Sequence, residues 1–118
     1  MKKINRPWGY YQIVWQDPRT KVKIIVVKPK QSLSLQMHFK RSEKWTLLTG
    51  QARVRLGSWV QVLSRAGEEV GVQKRAMHRL TNASSKRNLV VLEVAQGKCL
   101  ESDIRRFEDK YGRAKCIM

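Results

Sequence analysis

Apolar and polar residues alternate in short runs along most of this chain, and turn residues separate the runs. A two-residue alternation marks a strand with one buried face. Segment 8–15 is aromatic and β-branched and runs into Asp17-Pro18-Arg19, a turn signal. Segment 21–28 sets Val22, Ile24 and Val26 on one face and Lys21, Lys23, Ile25 and Val27 on the other, and Pro29 ends it. Segment 32–38 opposes Leu33, Leu35 and Met37 to Ser34, Gln36 and His38. Further strands are predicted over 45–48, 51–56, 59–63, 78–81 and 88–95, punctuated by Gly50, Gly57, Gly67 and Gly71. Only segment 102–109 reads as a helix: Ser102 can cap it, and Ile104 and Phe107 share a side at i, i+3 spacing. Many short strands without an internal repeat predict one all-β domain over 1–118, a sandwich, barrel or jelly roll with a short terminal helix.

Size and composition fit that picture. A chain of 118 residues buries roughly two-thirds of its unfolded surface and folds without staples. Cys99 and Cys116 are its two cysteines, and Met1-Lys2-Lys3-Ile4-Asn5 leads into Arg6-Pro7-Trp8-Gly9 with no apolar stretch between. The expectation is a reduced, cytoplasmic protein rather than a disulfide-bonded secreted one, with no membrane association. Charge adds more: 25 Lys and Arg against 9 Asp and Glu give +16. Such a field draws in anions and raises their encounter rate. The basic residues are scattered, as at Arg53, Arg55 and Lys74-Arg75, so a folded domain with positive faces is expected rather than a disordered tail.

Two stretches carry chemistry: Gln36-Met37-His38-Phe39-Lys40-Arg41-Ser42-Glu43-Lys44-Trp45 and Met77-His78-Arg79-Leu80-Thr81-Asn82. Alternation puts Gln36 on the face of His38, aimed into the same interior, whereas Arg79 should point away from its neighbour His78. Alone, His38 would be read as a packed histidine and Glu43 as a surface ion-pair partner. Trp8, Trp45 and Trp59 are read as core or rim packing.

With these motifs placed, the chain resembles the cupin superfamily, a double-stranded β-helix or jelly-roll barrel. It resembles in particular the C-terminal isomerase domain of type II mannose-6-phosphate isomerases, which accompanies a guanylyltransferase domain in bifunctional enzymes. Arg6-Pro7-Trp8-Gly9, Lys21-Val22-Lys23, Val26-Val27-Lys28-Pro29, the two stretches above, Arg106-Phe107-Glu108-Asp109 and Tyr111-Gly112-Arg113 carry the resemblance. The resemblance implies a divalent metal (Zn, Mn, Fe, Co or Ni) on His38, Glu43 and His78. It also implies Gln36 and Lys40 at the substrate, with Lys40 and Glu43 as catalytic groups, and Arg6, Lys23 and Arg79 as candidates to bind a phosphate. Pairing of two copies through their sheets is a further implication.

The family's first motif reads Gln-Met-His-x-His-Arg-x-Glu-His-Trp, and this chain carries Lys40 and Lys44 where that pattern has histidine. It also has Gln73-Lys74-Arg75 where the family has Pro-x-Gly, and Ala95 where the family has glutamine. A protonated lysine about 4 Å from a dication is repelled by roughly 8 kcal/mol at an effective dielectric near 20. Lys40 must therefore be neutral, swing outward or replace the metal, and a metal-free site stands beside a metal-bound one. Two functions follow. One is a stand-alone aldose–ketose isomerase of a sugar phosphate, or a degenerate descendant of one. The other is a non-catalytic basic barrel binding nucleic acid or another polyanion, possibly within a larger assembly.

Overall fold

The predicted alternation is realised almost throughout in a computed structural model that describes residues 2–100 and 102–108. In chain order the strands are β1 (Lys3–Arg6), β2 (Gly9–Gln16), β3 (Thr20–Val27), β4 (Leu35–Met37), β5 (Arg41–Thr49), β6 (Ala52–Leu56), β7 (Trp59–Leu63), β8 (Glu69–Val72), β9 (His78–Asn82), β10 (Leu89–Gly97) and β11 (Arg105–Glu108). They form two sheets, β1-β2-β3-β10-β5-β8 and β11-β4-β9-β6-β7, paired antiparallel throughout. Among the described residues no helix is long and apolar enough to cross a membrane.

The register of the sheets grades the interior from apolar to charged. Across the first sheet, Leu89 faces Val27, and Val91 lies between Ile25 and Leu47. The next inward row is Lys23, Glu93, Trp45 and Val70, and the last is Lys21, Ala95, Glu43 and Val72. The second sheet repeats the gradient: Ala52 with Leu63 and Asn82, then Val54 with Leu80, then Leu56 with His78 and Gln36. Buried apolar side chains thus close one end of the barrel while the polar rows line the other. Buried Asn82 plugs the apolar end with its amide satisfied, donating to the carbonyls of Val27 (2.9 Å) and Arg87 (2.8 Å) and accepting from the Ser84 N–H (2.8 Å). In β3 the buried face is the one that carries Lys21 and Lys23, so two lysines enter the barrel wall. Trp8 and Trp45 are core residues, whereas Trp59, beside the β6–β7 turn, is 68% exposed.

The structure corrects the predicted helix over 102–109. Ser102 lies in a turn, and Arg105–Glu108 pairs with β4 as β11; Asp109, residues 111–113 and Cys116 lie outside the described residues. A single i, i+3 pair is a weak helical signal. An extended chain there satisfies the exposed edge of β4 and lets Asp103 reach the β4–β5 turn. Its carboxylate accepts the N–H groups of Phe39 (3.0 Å) and Lys40 (2.9 Å). Strands β1 and β8 are additions to the predicted set, each only four residues long.

Gly97 ends β10 at φ +116°, and a Cβ there would run into the backbone carbonyl of Lys40. Both the conformation and the close approach call for glycine. Gly97→Ala is expected to cost about 2 kcal/mol or more of stability. Urea unfolding of the purified variant checks this, and an unchanged midpoint would show that the two segments separate freely.

Candidate metal and substrate site

The polar end of the barrel holds a cavity of about 90 Å³ whose wall includes Arg6, Lys23, Gln36, His38, Glu43 and His78. Six of the eight candidates from sequence therefore meet in one place. Lys40 and Arg79 do not line it. Lys40 lies exposed in the bend before β5, and within β5 Arg41, Glu43, Trp45 and Leu47 are the buried set, so Lys44 faces outward. The backbone of Lys40 is clamped from both sides, its N–H by Asp103 and its carbonyl by the Lys98 N–H (2.9 Å). Lys40 thus lies outside the cavity that holds His38, Glu43 and His78, with its side chain exposed. Lys44 pairs with Glu69 at the surface (3.4 Å). Arg79 sits on β9 next to His78, on the opposite face from the cavity.

Each histidine is oriented by a backbone carbonyl. His38 Nδ1 lies 2.6 Å from the Asp103 oxygen and His78 Nδ1 2.9 Å from the Ala76 oxygen. A carbonyl only accepts, so each Nδ1 carries the proton and each Nε2 offers its lone pair inward. Those lone pairs converge on Glu43, at 3.5 Å from His38 Nε2 to Oε2 and 3.6 Å from His78 Nε2 to Oε1. Despite the short separations these are not ion pairs. Burial, reinforced by the Arg41 guanidinium, pushes His38 down to about 4, and burial likewise pushes His78 down, so both rings are neutral at pH 7.

Arg41, a matching position of the first motif to which the sequence alone assigns no role, supplies the cation. Its Nε and Nη2 each lie 2.8 Å from Glu43 Oε2, and Nη2 also donates to His38 Nε2 at 3.1 Å. Glu93 is a second functional residue absent from the sequence candidates. It is a carboxyl on the buried face of a strand that otherwise presents Leu89, Val91 and Ala95 there, and that mismatch is the signal that could have found it. The Trp45 indole donates to its Oε1 (3.2 Å). Burial first, and the Glu43 charge second, push Glu93 up to about 7, against the pull of Lys23 and Arg41. At the rim, the Arg6 guanidinium lies 3.4 Å from the Tyr11 hydroxyl, and Lys23 Nζ sits 4.3 Å from the Tyr11 ring centre.

The donor atoms of His38, Glu43 and His78 lie within 4.8 Å of one another. Two neutral imidazoles and a carboxylate suit a divalent transition metal and leave positions open for other oxygens. His78 Nε2, buried and without a hydrogen-bond partner, is the kind of orphaned atom that a metal satisfies. By donor chemistry the three residues fit such an ion.

Over residues 1–109 the sequence matches the profile described as "Mannose-6-phosphate isomerase C-terminal". The chain belongs to that family. It is 41% identical over 113 residues to the mannose-1-phosphate guanylyltransferase ManC of Salmonella typhimurium, covering 95% of this chain and 23% of that protein. It is 43% identical over 111 residues to the alginate biosynthesis protein AlgA of Pseudomonas putida, covering 93% and 22%. The family domain here therefore spans about a quarter of the length of these relatives. Among solved structures, a Klebsiella pneumoniae protein with a double-stranded β-helix domain superposes with a TM-score of 0.70 at 18% identity, covering 82% of this chain and 77% of that one. The likeness establishes the cupin fold expected from the sequence.

The buried ionisable groups pull the pH dependence of stability in opposite directions. The two histidines bind fewer protons folded than unfolded, His38 between about pH 4 and its ordinary 6.5, so through that window they make stability rise with pH. Glu93 binds more protons folded than unfolded between its ordinary 4.5 and about 7, so it makes stability fall as pH rises through that range. In chelator-treated protein, Glu93→Gln should remove the falling contribution. Relative to pH 5, the variant should gain about 2–3 kcal/mol more stability by pH 7.5 than the parent. Urea unfolding across pH tests this, and parallel curves would show that Glu93 is not proton-linked to folding.

Proposed function

We propose that this domain is an aldose–ketose isomerase of a sugar phosphate, with mannose 6-phosphate as its substrate. The observation that carries the reading is the convergence of His38, Glu43 and His78 at the base of a cavity whose wall also holds Arg6 and Lys23. A divalent cation bound by the three residues supplies Lewis-acid polarisation of a carbonyl and its neighbouring hydroxyl. The chain's own groups do the rest. Arg6 and Lys23, in the cavity wall, hold the phosphate, and the Gln36 amide, aimed inward beside His38, fixes a sugar hydroxyl. Glu93 lines the same cavity and lies outside the ligand set, so its carboxyl is the group in place to carry a proton between C1 and C2.

The enclosed scale of the cavity favours a small anionic ligand over a nucleic acid strand, and the net charge of +16 serves such a ligand by raising its rate of arrival. The family match supports the choice of mannose 6-phosphate. The name of the AlgA relative supports a role in supplying polysaccharide precursors.

Protein loaded with Zn²⁺, Mn²⁺ or Co²⁺ should interconvert mannose 6-phosphate and the corresponding ketose phosphate. His78→Ala and Glu43→Gln, checked for folding by circular dichroism, should lower kcat/KM by about 100-fold or more, on the order of what loss of Lewis-acid and electrostatic stabilisation costs. Arg6→Met should mainly raise KM. Metal-loaded protein with neither turnover nor saturable binding of mannose 6-phosphate would overturn the proposal.

A further inference from the structure

Arg41 occupies the lone pairs that a metal at this site would need. Its Nη2 donates to His38 Nε2 at 3.1 Å, and its Nε and Nη2 both hold Glu43 Oε2 at 2.8 Å. His38 Nε2 has one lone pair, because its other ring nitrogen is committed to the Asp103 carbonyl at 2.6 Å. A guanidinium N–H and a metal ion cannot share it. His38 Nε2 and one oxygen of Glu43 are therefore taken, while Glu43 Oε1 lies 3.6 Å from the unpartnered Nε2 of His78. Arg41 is itself buried, so no bulk water competes for its bonds.

We infer that Arg41 is a built-in competitor for the metal: the guanidinium and a divalent cation bind the His38–Glu43 pair in alternation, and the metal enters only when Arg41 leaves it. The inference rests on the metal site proposed above. Without a metal, the guanidinium compensates the buried Glu43 charge and keeps the ligands in place. With a metal, Arg41 is released into the cavity it already lines, so the cavity gains a cation where an anionic substrate arrives. The outward course of Lys40 matters here, because position 40 adds no fourth ligand to shift the competition toward the metal.

The test is a Co²⁺ titration of chelator-treated protein followed by visible absorption, which reads the ligand set directly and needs no substrate. The parent is compared with Arg41→Met and Arg41→Lys, each checked for folding by thermal unfolding without metal. Lysine keeps a charge for Glu43 but presents one nitrogen instead of a fork, so it does not hold Glu43 and His38 together in the same way. Arg41→Met should bind Co²⁺ at least tenfold more tightly than the parent, with Arg41→Lys between them. If methionine prevents folding, the lysine variant alone should still bind more tightly than the parent. Equal or weaker binding by folded variants, with Co²⁺ bound by the parent, would overturn the competition while leaving the metal site intact. Failure of all three proteins to bind Co²⁺ would overturn the metal site itself.

Discussion

A carboxylate left only 4% exposed is the constraint around which this barrel is arranged. Glu43 is far from water, and an isolated ionised carboxyl in such a place costs several kcal/mol unless a cation or several donors meet it. Arg41, two residues earlier on the same strand face, meets it at once, and the two histidines are turned toward it by backbone carbonyls, His38 by that of distant Asp103 and His78 by that of Ala76 two residues before it. Glu93 adds a second carboxyl beside the first and responds by holding its proton more tightly. The apolar end of the barrel tolerates none of this, and its one buried amide, Asn82, is bonded on every side. Charge is therefore concentrated at one end of the interior, where the cavity lies.

Strand parity turns that constraint into a site. Once Trp45 and Leu47 face the core, Glu43 and Arg41 must do so too, and Lys44 must not. The same logic sends His78 inward and Arg79 outward on β9. Of the two substitutions that look damaging in a linear comparison with the family motif, Lys44 thus falls on the outside of the strand and Lys40 in the exposed bend before it. The chemistry available to the domain is set by the inward set: two imidazoles, two carboxyls, an amide and the surrounding cations.

Much of this is legible in the amino-acid sequence alone. The alternating runs locate eight of the strands, because a half-buried strand leaves a period of two in its sequence. Gln36, His38, Glu43 and His78 are legible as a group because they fall inside two recognisable motifs. What is not legible depends on partners distant in sequence. Nothing near residue 103 announces that its backbone carbonyl will orient His38, and the extended course of β11 depends on an open edge of β4 that only the folded sheet creates. Arg41 falls inside the first motif too, but its role is hidden, because a motif position does not say which buried groups an arginine will meet until its neighbours' directions are known. Lys40 is misleading for a related reason: its charge matters to a metal only if the chain turns it inward, and the bend before β5 leaves it exposed.

The tie between His38 and Asp103 spans 65 positions of chain. During synthesis, then, His38 emerges long before the carbonyl that will hold its ring. A nascent chain that has made β4 and β5 already carries Glu43 and Arg41, and by β9 it carries His78 as well. Yet the imidazole of His38 can still rotate until the last described strand is threaded against β4. The ligand set is thereby completed only after β4, β5 and β9 have been made, when the barrel wall that shields it is also in place.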